Sequence, residues 1–204
     1  MAIGDTALTV CSDALLLLGA RPISSFNEGT DAANLCDRLY PGIKKSTLQG
    51  YHWGFSFKAA QLARTINAPV NEYLYEYVLP SDRLGSVYRI YNSMGIGAQP
   101  VKDWAIMGDK LITNYEKVVA DYQFAVDEAA MPAYFTQLLK YMMAWHLAEP
   151  ITDQISKTQY WQSVAVGSPS ENNRGGYFRT ASGIDGQGNP TQAFEDFSLI
   201  DVRY

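Results

Sequence analysis

The residues that most often do chemistry are few in this chain, and their spacing does not favour it. His52 and His146 stand far apart, and neither has Cys, Asp or Glu at metal-ligand spacing. His146 has Glu149 three residues on but no second histidine, so both are expected to be core or surface residues. Cys11 and Cys36 fall on apolar helical faces, where a thiol packs as a small hydrophobe; two buried free thiols and a reducing compartment are expected. No Gly-x-Ser-x-Gly elbow offers a nucleophile. Gly95-Ile96-Gly97 and Gly183-Ile184-Asp185-Gly186-Gln187-Gly188 have the glycine content of phosphate-cradling loops. Neither joins a strong strand to a helix, and no Gly-Lys-Ser/Thr ending follows. Asp127 with Glu128, or Glu149 with Asp153, could serve as the acid and base of a glycosidase, but any acidic chain holds such pairs. The expectation is a protein that is not an enzyme, with no cofactor and no metal.

Composition points to contacts between proteins. The 204 residues suffice for a sizeable core. Only 18% are charged, below the usual quarter or so, while 14 Tyr and 4 Trp raise the aromatic content. Amphipathic aromatics in place of charge suit surfaces that become interfaces. The net charge of −5, with Lys and Arg scattered, gives no basic field to grip a duplex. A polyanion would pass such a surface without adhering. No apolar run approaches the roughly 20 residues that span a bilayer, and the four leucines at 15–18 are too few. The amino terminus lacks the basic and apolar regions of a signal peptide, so no membrane is expected as a partner and the chain is expected in a cytoplasm or in a particle built there.

The elements that would hold these side chains follow from periodicity. Leu8, Cys11, Leu15 and Leu18 recur at helical spacing, with Gly19 placed as a left-handed cap. Thr30 or Asp31 caps a second helix with Ala32, Leu35, Leu39 and Ile43 on one face, which Pro41 is expected to kink or restart. Tyr51, Trp53, Phe55 and Phe57 form an aromatic cluster expected to wedge against the helices. Period-two alternation over 72–79 predicts a strand, and further strands are expected over 85–91, 104–107, 110–113 and 118–126, with a turn at Gly108-Asp109. Helical spacing returns near Met131 through Phe135, Leu138, Leu139, Met142 and Leu147, and Pro150 is expected to end it. Thr152 then caps a fourth helix with Ile155, Tyr160 and Val164. The expected fold is α+β: a four-helix bundle split into halves at 1–64 and 129–166, with a small antiparallel β subdomain at 65–128 inserted between helices 2 and 3.

From Gly167 onwards Gly, Ser, Asn, Thr and Pro dominate and no regular period survives, so residues 167–204 are expected to form an extended carboxyl-terminal arm. Tyr177, Phe178, Arg179, Phe194, Phe197, Leu199, Ile200 and Tyr204 are its expected anchors, on a partner or on a neighbouring subunit.

The order of segments resembles a known pattern. Tyr40-Pro41, Leu48, Trp53, Phe55 or Phe57, Ala59 and Leu62 come first, then Tyr77-Val78-Leu79-Pro80-Ser81-Asp82-Arg83-Leu84. The run 104–114 from Trp104 to Asn114 follows, then Asp121-Tyr122, Met131-Pro132-Ala133-Tyr134-Phe135 and the run 145–152 from Trp145 to Thr152. Over residues 6–166 this is similar to the head-to-tail adaptor (connector) proteins of tailed bacteriophages, the tail tubular protein A type. His52 stands where that family often has a proline. The resemblance implies a virion structural protein of the neck between capsid and tail: a ring of about twelve subunits below the portal protein, meeting a tail tube or nozzle protein, with genomic DNA passing through its lumen. A carboxylate-pair glycan hydrolase of the virion and a non-viral interaction module with a flexible tail are the alternatives.

Overall fold

Helix α1 opens on a reciprocal cap. The Thr9 amide donates to the Thr6 hydroxyl at 3.2 Å, and the Thr6 amide donates to the Thr9 hydroxyl at 2.8 Å, satisfying donors that a helix start leaves orphaned. The computed structural model describes residues 5–66, 69–95 and 98–188. In it α1 spans Ala7–Leu17 and Gly19 takes φ +78° beyond its end. Helix α2 spans Asp31–Gln49, capped by Thr30 through the Ala33 amide at 3.3 Å. It runs through Pro41 without a restart. Its buried stripe is Ala33, Cys36, Tyr40, Ile43 and Thr47, one position on from the expected Ala32, Leu35 and Leu39, which lie at its partly buried flank.

Helix α3, Ala133–Thr152, is the axis of the helical unit, with nine buried side chains, and packs against α1, α2 and the two helices that follow it. Pro150 lies inside it, in the last turn, where little helix remains to be broken. Asp153 ends it with φ 51°, its amide donating to the Glu149 carbonyl at 2.9 Å. Helix α4, Ile155–Val166, then starts at Gln154 rather than at Thr152. Lys140 on α3 ties α1 down through Asp13 at 2.8 Å.

Among the described residues, seven strands lie between α2 and α3: β1 Phe57–Gln61, β2 Ala63–Arg64, β3 Tyr75–Val78, β4 Arg83–Tyr91, β5 Trp104–Met107, β6 Lys110–Thr113 and β7 Val119–Phe124. All pair antiparallel in two sheets, β1-β7-β4 and β2-β3-β6-β5. The chain passes from one sheet to the other at Leu62, so the sheets take in residues 57–64, earlier than the expected start at 65. Gly108 at φ +62° makes the two-residue turn between β5 and β6, the position where a tight hairpin favours glycine. Tyr77, Leu111, Ile90 and Ala120 centre a second core, separate from that of the helices.

The expectation of an extended arm from Gly167 does not hold over the described residues. After a short 3-10 turn at Pro169–Glu171, residues Gly176–Gln187 form a fifth α-helix, α5, packed on α3 and α4. The described residues therefore hold five α-helices where four were expected. The reason is tertiary. Phe178, Ala181 and Asp185, at helical spacing, are all buried against the body, and this burial outweighs the poor helix propensity of a segment with three glycines.

Candidate functional site

The densest grouping of sequence-selected residues sits where α2 ends and the strands begin. Chain reversal after Gln49 turns Trp53 inward, and a 3-10 turn at Gly54–Ser56 follows it. Trp53 is fully buried, and its indole N–H donates to the Thr47 carbonyl at 3.0 Å, as a buried indole requires. Around it stand Tyr51 and Phe135, with ring centres at 5.0 Å, Phe178 at 5.6 Å, Phe55 at 6.2 Å and Tyr134 at 6.5 Å. Most of these contacts are edge to face, the arrangement that the ring quadrupoles favour.

Three of the four expected cluster members, Tyr51, Trp53 and Phe55, thus come together. Phe57 does not: it opens β1 and meets His52 and Tyr88, with ring centres at 5.6 Å from each. Of the expected arm anchors, Phe178 packs on Trp53 and Tyr177 packs on Tyr141 at 5.2 Å, both within the same chain. Arg179 is exposed. Phe194, Phe197, Leu199, Ile200 and Tyr204 lie outside the described residues.

Two polar groups that sequence reasoning missed lock this region. Asp185 on α5 is 8% exposed; its carboxylate accepts from the Gly54 amide at 2.8 Å and from the Tyr134 hydroxyl at 2.6 Å. Burial and then the Asp185 hydrogen bond push the Tyr134 phenol up, so it stays a donor. Gln123 on β7, also 8% exposed, donates through its amide nitrogen to the Leu48 carbonyl at 2.7 Å, the Ser56 hydroxyl at 2.9 Å and the Tyr51 carbonyl at 3.0 Å. It fastens the sheets to the end of α2. The stripe Phe178, Ala181, Asp185 was a signal that could have found the first; no local pattern marks the second.

The groups considered for catalysis are placed as follows. Tyr40 and Lys44 both donate to one oxygen of Glu128, each at 2.9 Å, beside a cleft of about 260 Å³. Burial pushes the Glu128 carboxyl up, but Lys44, its own backbone amide and Tyr40 outweigh this and hold it below the ordinary range. A carboxylate held ionised in this way is a poor proton donor. Glu149 and Asp153 are exposed at the end of α3. His146 stacks on Trp145 at 4.4 Å in a cleft of about 320 Å³ beside Arg174, and burial pushes its imidazole down. Cys11 and Cys36 are both buried and free, and a hydrogen bond between the two together with burial pushes the Cys11 thiol up, away from reactivity. The six residues of Gly183 to Gly188 lie within or cap α5 and form no loop. Among the described residues no three His, Cys, Asp or Glu side chains gather as a metal cage, and no helix is long and apolar enough to cross a membrane.

The chain matches no protein-family model, and no curated protein matches it. The aromatic centre is closed by α5, and the end of α2 beside it is tied to β7 by Gln123 and to β4 by the Gln49 side-chain amide, which donates to the Leu84 carbonyl.

Apolar side chains also lie open on the surface. Leu16 and Leu17 at the end of α1 are exposed, as is Ile155 in the first turn of α4. The two helix ends adjoin, since the Lys157 amine donates to the Leu18 carbonyl at 3.3 Å. On the second sheet Val78 and Met107 are both exposed and both paired to Lys110, so they share one face.

Proposed function

We propose that this chain is a structural subunit that assembles with copies of itself into a ring, as a head-to-tail adaptor between a phage portal and tail. The observation that carries the reading is the ordered set of motifs over residues 6–166, whose members turn out to hold the architecture together. Trp53 centres the aromatic cluster. Asp82, from the Leu-Pro-x-Asp motif, pairs with Lys58 on β1 and accepts from the Tyr122 hydroxyl on β7 at 3.1 Å. Tyr40, from the Tyr-Pro motif, reaches Glu128 at the entry to α3. A likeness in these residues is thus a likeness in how helices and sheets are joined.

Two open apolar surfaces, one on the helical unit and one on a sheet, support the same reading, because a ring subunit needs two different faces, one for each neighbour. The acidic balance supports a lumen through which DNA slides without adhering. With Tyr177 and Phe178 packed on their own chain, the reach onto a portal or a neighbouring subunit falls to Phe194, Phe197, Leu199, Ile200 and Tyr204. Electron microscopy of the purified chain tests the proposal: closed rings with a central channel are expected, and single particles of one-chain size at every concentration would overturn it.

A further inference from the structure

We infer that α5 is a strap that opens and closes over the Trp53 cluster as a unit separate from the rest of the fold, held shut by the clasp that Asp185 makes with Gly54 and Tyr134.

Four features lead there. First, α5 has little stability of its own: Gly176, Gly183 and Gly186 lie within its twelve residues, and no side chain caps its start. Each glycine costs a helix about 1 kcal/mol relative to alanine, so the helix exists only while it is docked. Second, its docking rests on one narrow buried stripe, with half-buried Tyr177 beside it on Tyr141. Phe178 and Ala181 are its buried apolar residues and Asp185 its buried polar one, whereas α3 buries nine side chains around its whole circumference. Third, the cleft of about 320 Å³ between Thr47, Gly50, Met142, His146, Arg174 and Phe178 leaves the first turn of α5 incompletely packed on one side. Fourth, the far end is fixed by two hydrogen bonds to a single carboxylate, at 2.8 and 2.6 Å; one partner, Tyr134, belongs to the cluster that α5 covers, and the other, Gly54, directly follows Trp53.

The hinge is defined by glycine. Gly167 and Gly176 have φ of +79° and +51°, and the Gly175 amide donates to the Val166 carbonyl at 2.9 Å. This fixes where α4 ends and where the strap begins. A segment with few buried apolar contacts and one polar fastening opens at a lower free energy than the whole fold. What the opening uncovers is aromatic: Phe178 leaves the side of Trp53 and the surface of Gly50, where a Cβ would meet the Phe178 ring at 3.4 Å. Buried aromatics of this kind anchor protein interfaces.

Native-state hydrogen exchange on the full chain, read segment by segment, tests the strap. Amides of residues 179–187 are expected to exchange at least about tenfold faster than those of residues 138–148 in α3. Asp185→Asn is expected to speed exchange in α5 by a further factor of about ten while leaving α3 unchanged, as loss of charge-assisted hydrogen bonds from one segment predicts. Tyr134→Phe, which removes one bond and keeps the ring, is expected to act in the same direction by less. Equal exchange of α5 and α3 in the native chain would overturn the inference. So would variants that speed both segments by the same factor, because α5 would then open only when everything does.

Discussion

Gln123 brings two amide protons to a place where three acceptors wait, the carbonyls of Leu48 and Tyr51 and the hydroxyl of Ser56. Buried acceptors stripped of their donor keep their desolvation cost. Gln123→Leu, close in size, is therefore expected to lower stability by about 2 kcal/mol or more, read as a shift in the urea midpoint. Glu128 makes a prediction with a sign. Its folded pKa is lowered from the ordinary, unfolded glutamate value, Lys44, its own backbone amide and Tyr40 outweighing burial. The stability it contributes is complete above that unfolded value and is lost as pH falls through the lower, folded one. Urea midpoints followed from pH 7 to pH 3 are expected to separate the native chain from Glu128→Gln at neutral pH and to converge in acid; a gap independent of pH would contradict the assignment. Trp53 and the two buried thiols were legible in the sequence, since bulky aromatics and cysteines at apolar spacing have one good place to go. Gln123 was not, because its partners lie 67 or more residues away along the chain, beyond any local pattern; Asp185 was marked only by its helical spacing from Phe178 and Ala181, while its partners Gly54 and Tyr134 lie 131 and 51 residues away.

Secondary structure followed the sequence wherever a period ran long enough to dominate. Strands β3 to β7 fall within or beside the alternating runs, and α1 and α2 start at or next to their capping threonines. Strands β1 and β2 escaped because Phe57 was read as part of an aromatic wedge, while Ala59, Ala60 and Ala63 carry no β preference; the register Phe57↔Gln123 to Gln61↔Val119 is imposed by β7. Residues 169–187 failed for the opposite reason. Their glycines read as loop, yet two of them, Gly175 and Gly176, leave no room for a Cβ beside their neighbours as placed. Gly176 combines φ +51° with backbone atoms of Gly167, Ser163 and Val164 that a Cβ would meet at 2.7 Å. Gly176→Ala is expected to cost roughly 2 kcal/mol or more in stability by thermal or urea unfolding, and a neutral outcome would show that the turn is not locked as described.

At the scale of the molecule, the helical unit meets the sheet β1-β7-β4 across Gln123, the bond from Gln49 to the Leu84 carbonyl, and the core that Trp53 and Leu84 share. Charge is sparse for this size, and open apolar surface is shared between the α1 and α4 helix ends and the Val78–Met107 face. Leu16→Lys and Met107→Lys each place a charge on one of these faces without touching either core. Each is expected to leave the fold intact by circular dichroism and to weaken self-association at least tenfold by sedimentation equilibrium. Association unaltered by both would remove these faces from the ring contact.

The proposal of a ring subunit that docks on a portal is tested most directly by sedimentation velocity of the chain, alone and mixed with purified phage portal rings. An assembly of about twelve copies that travels with the portal as one ring-on-ring complex is expected. A chain that stays at single-copy mass and never co-sediments with the portal would contradict it.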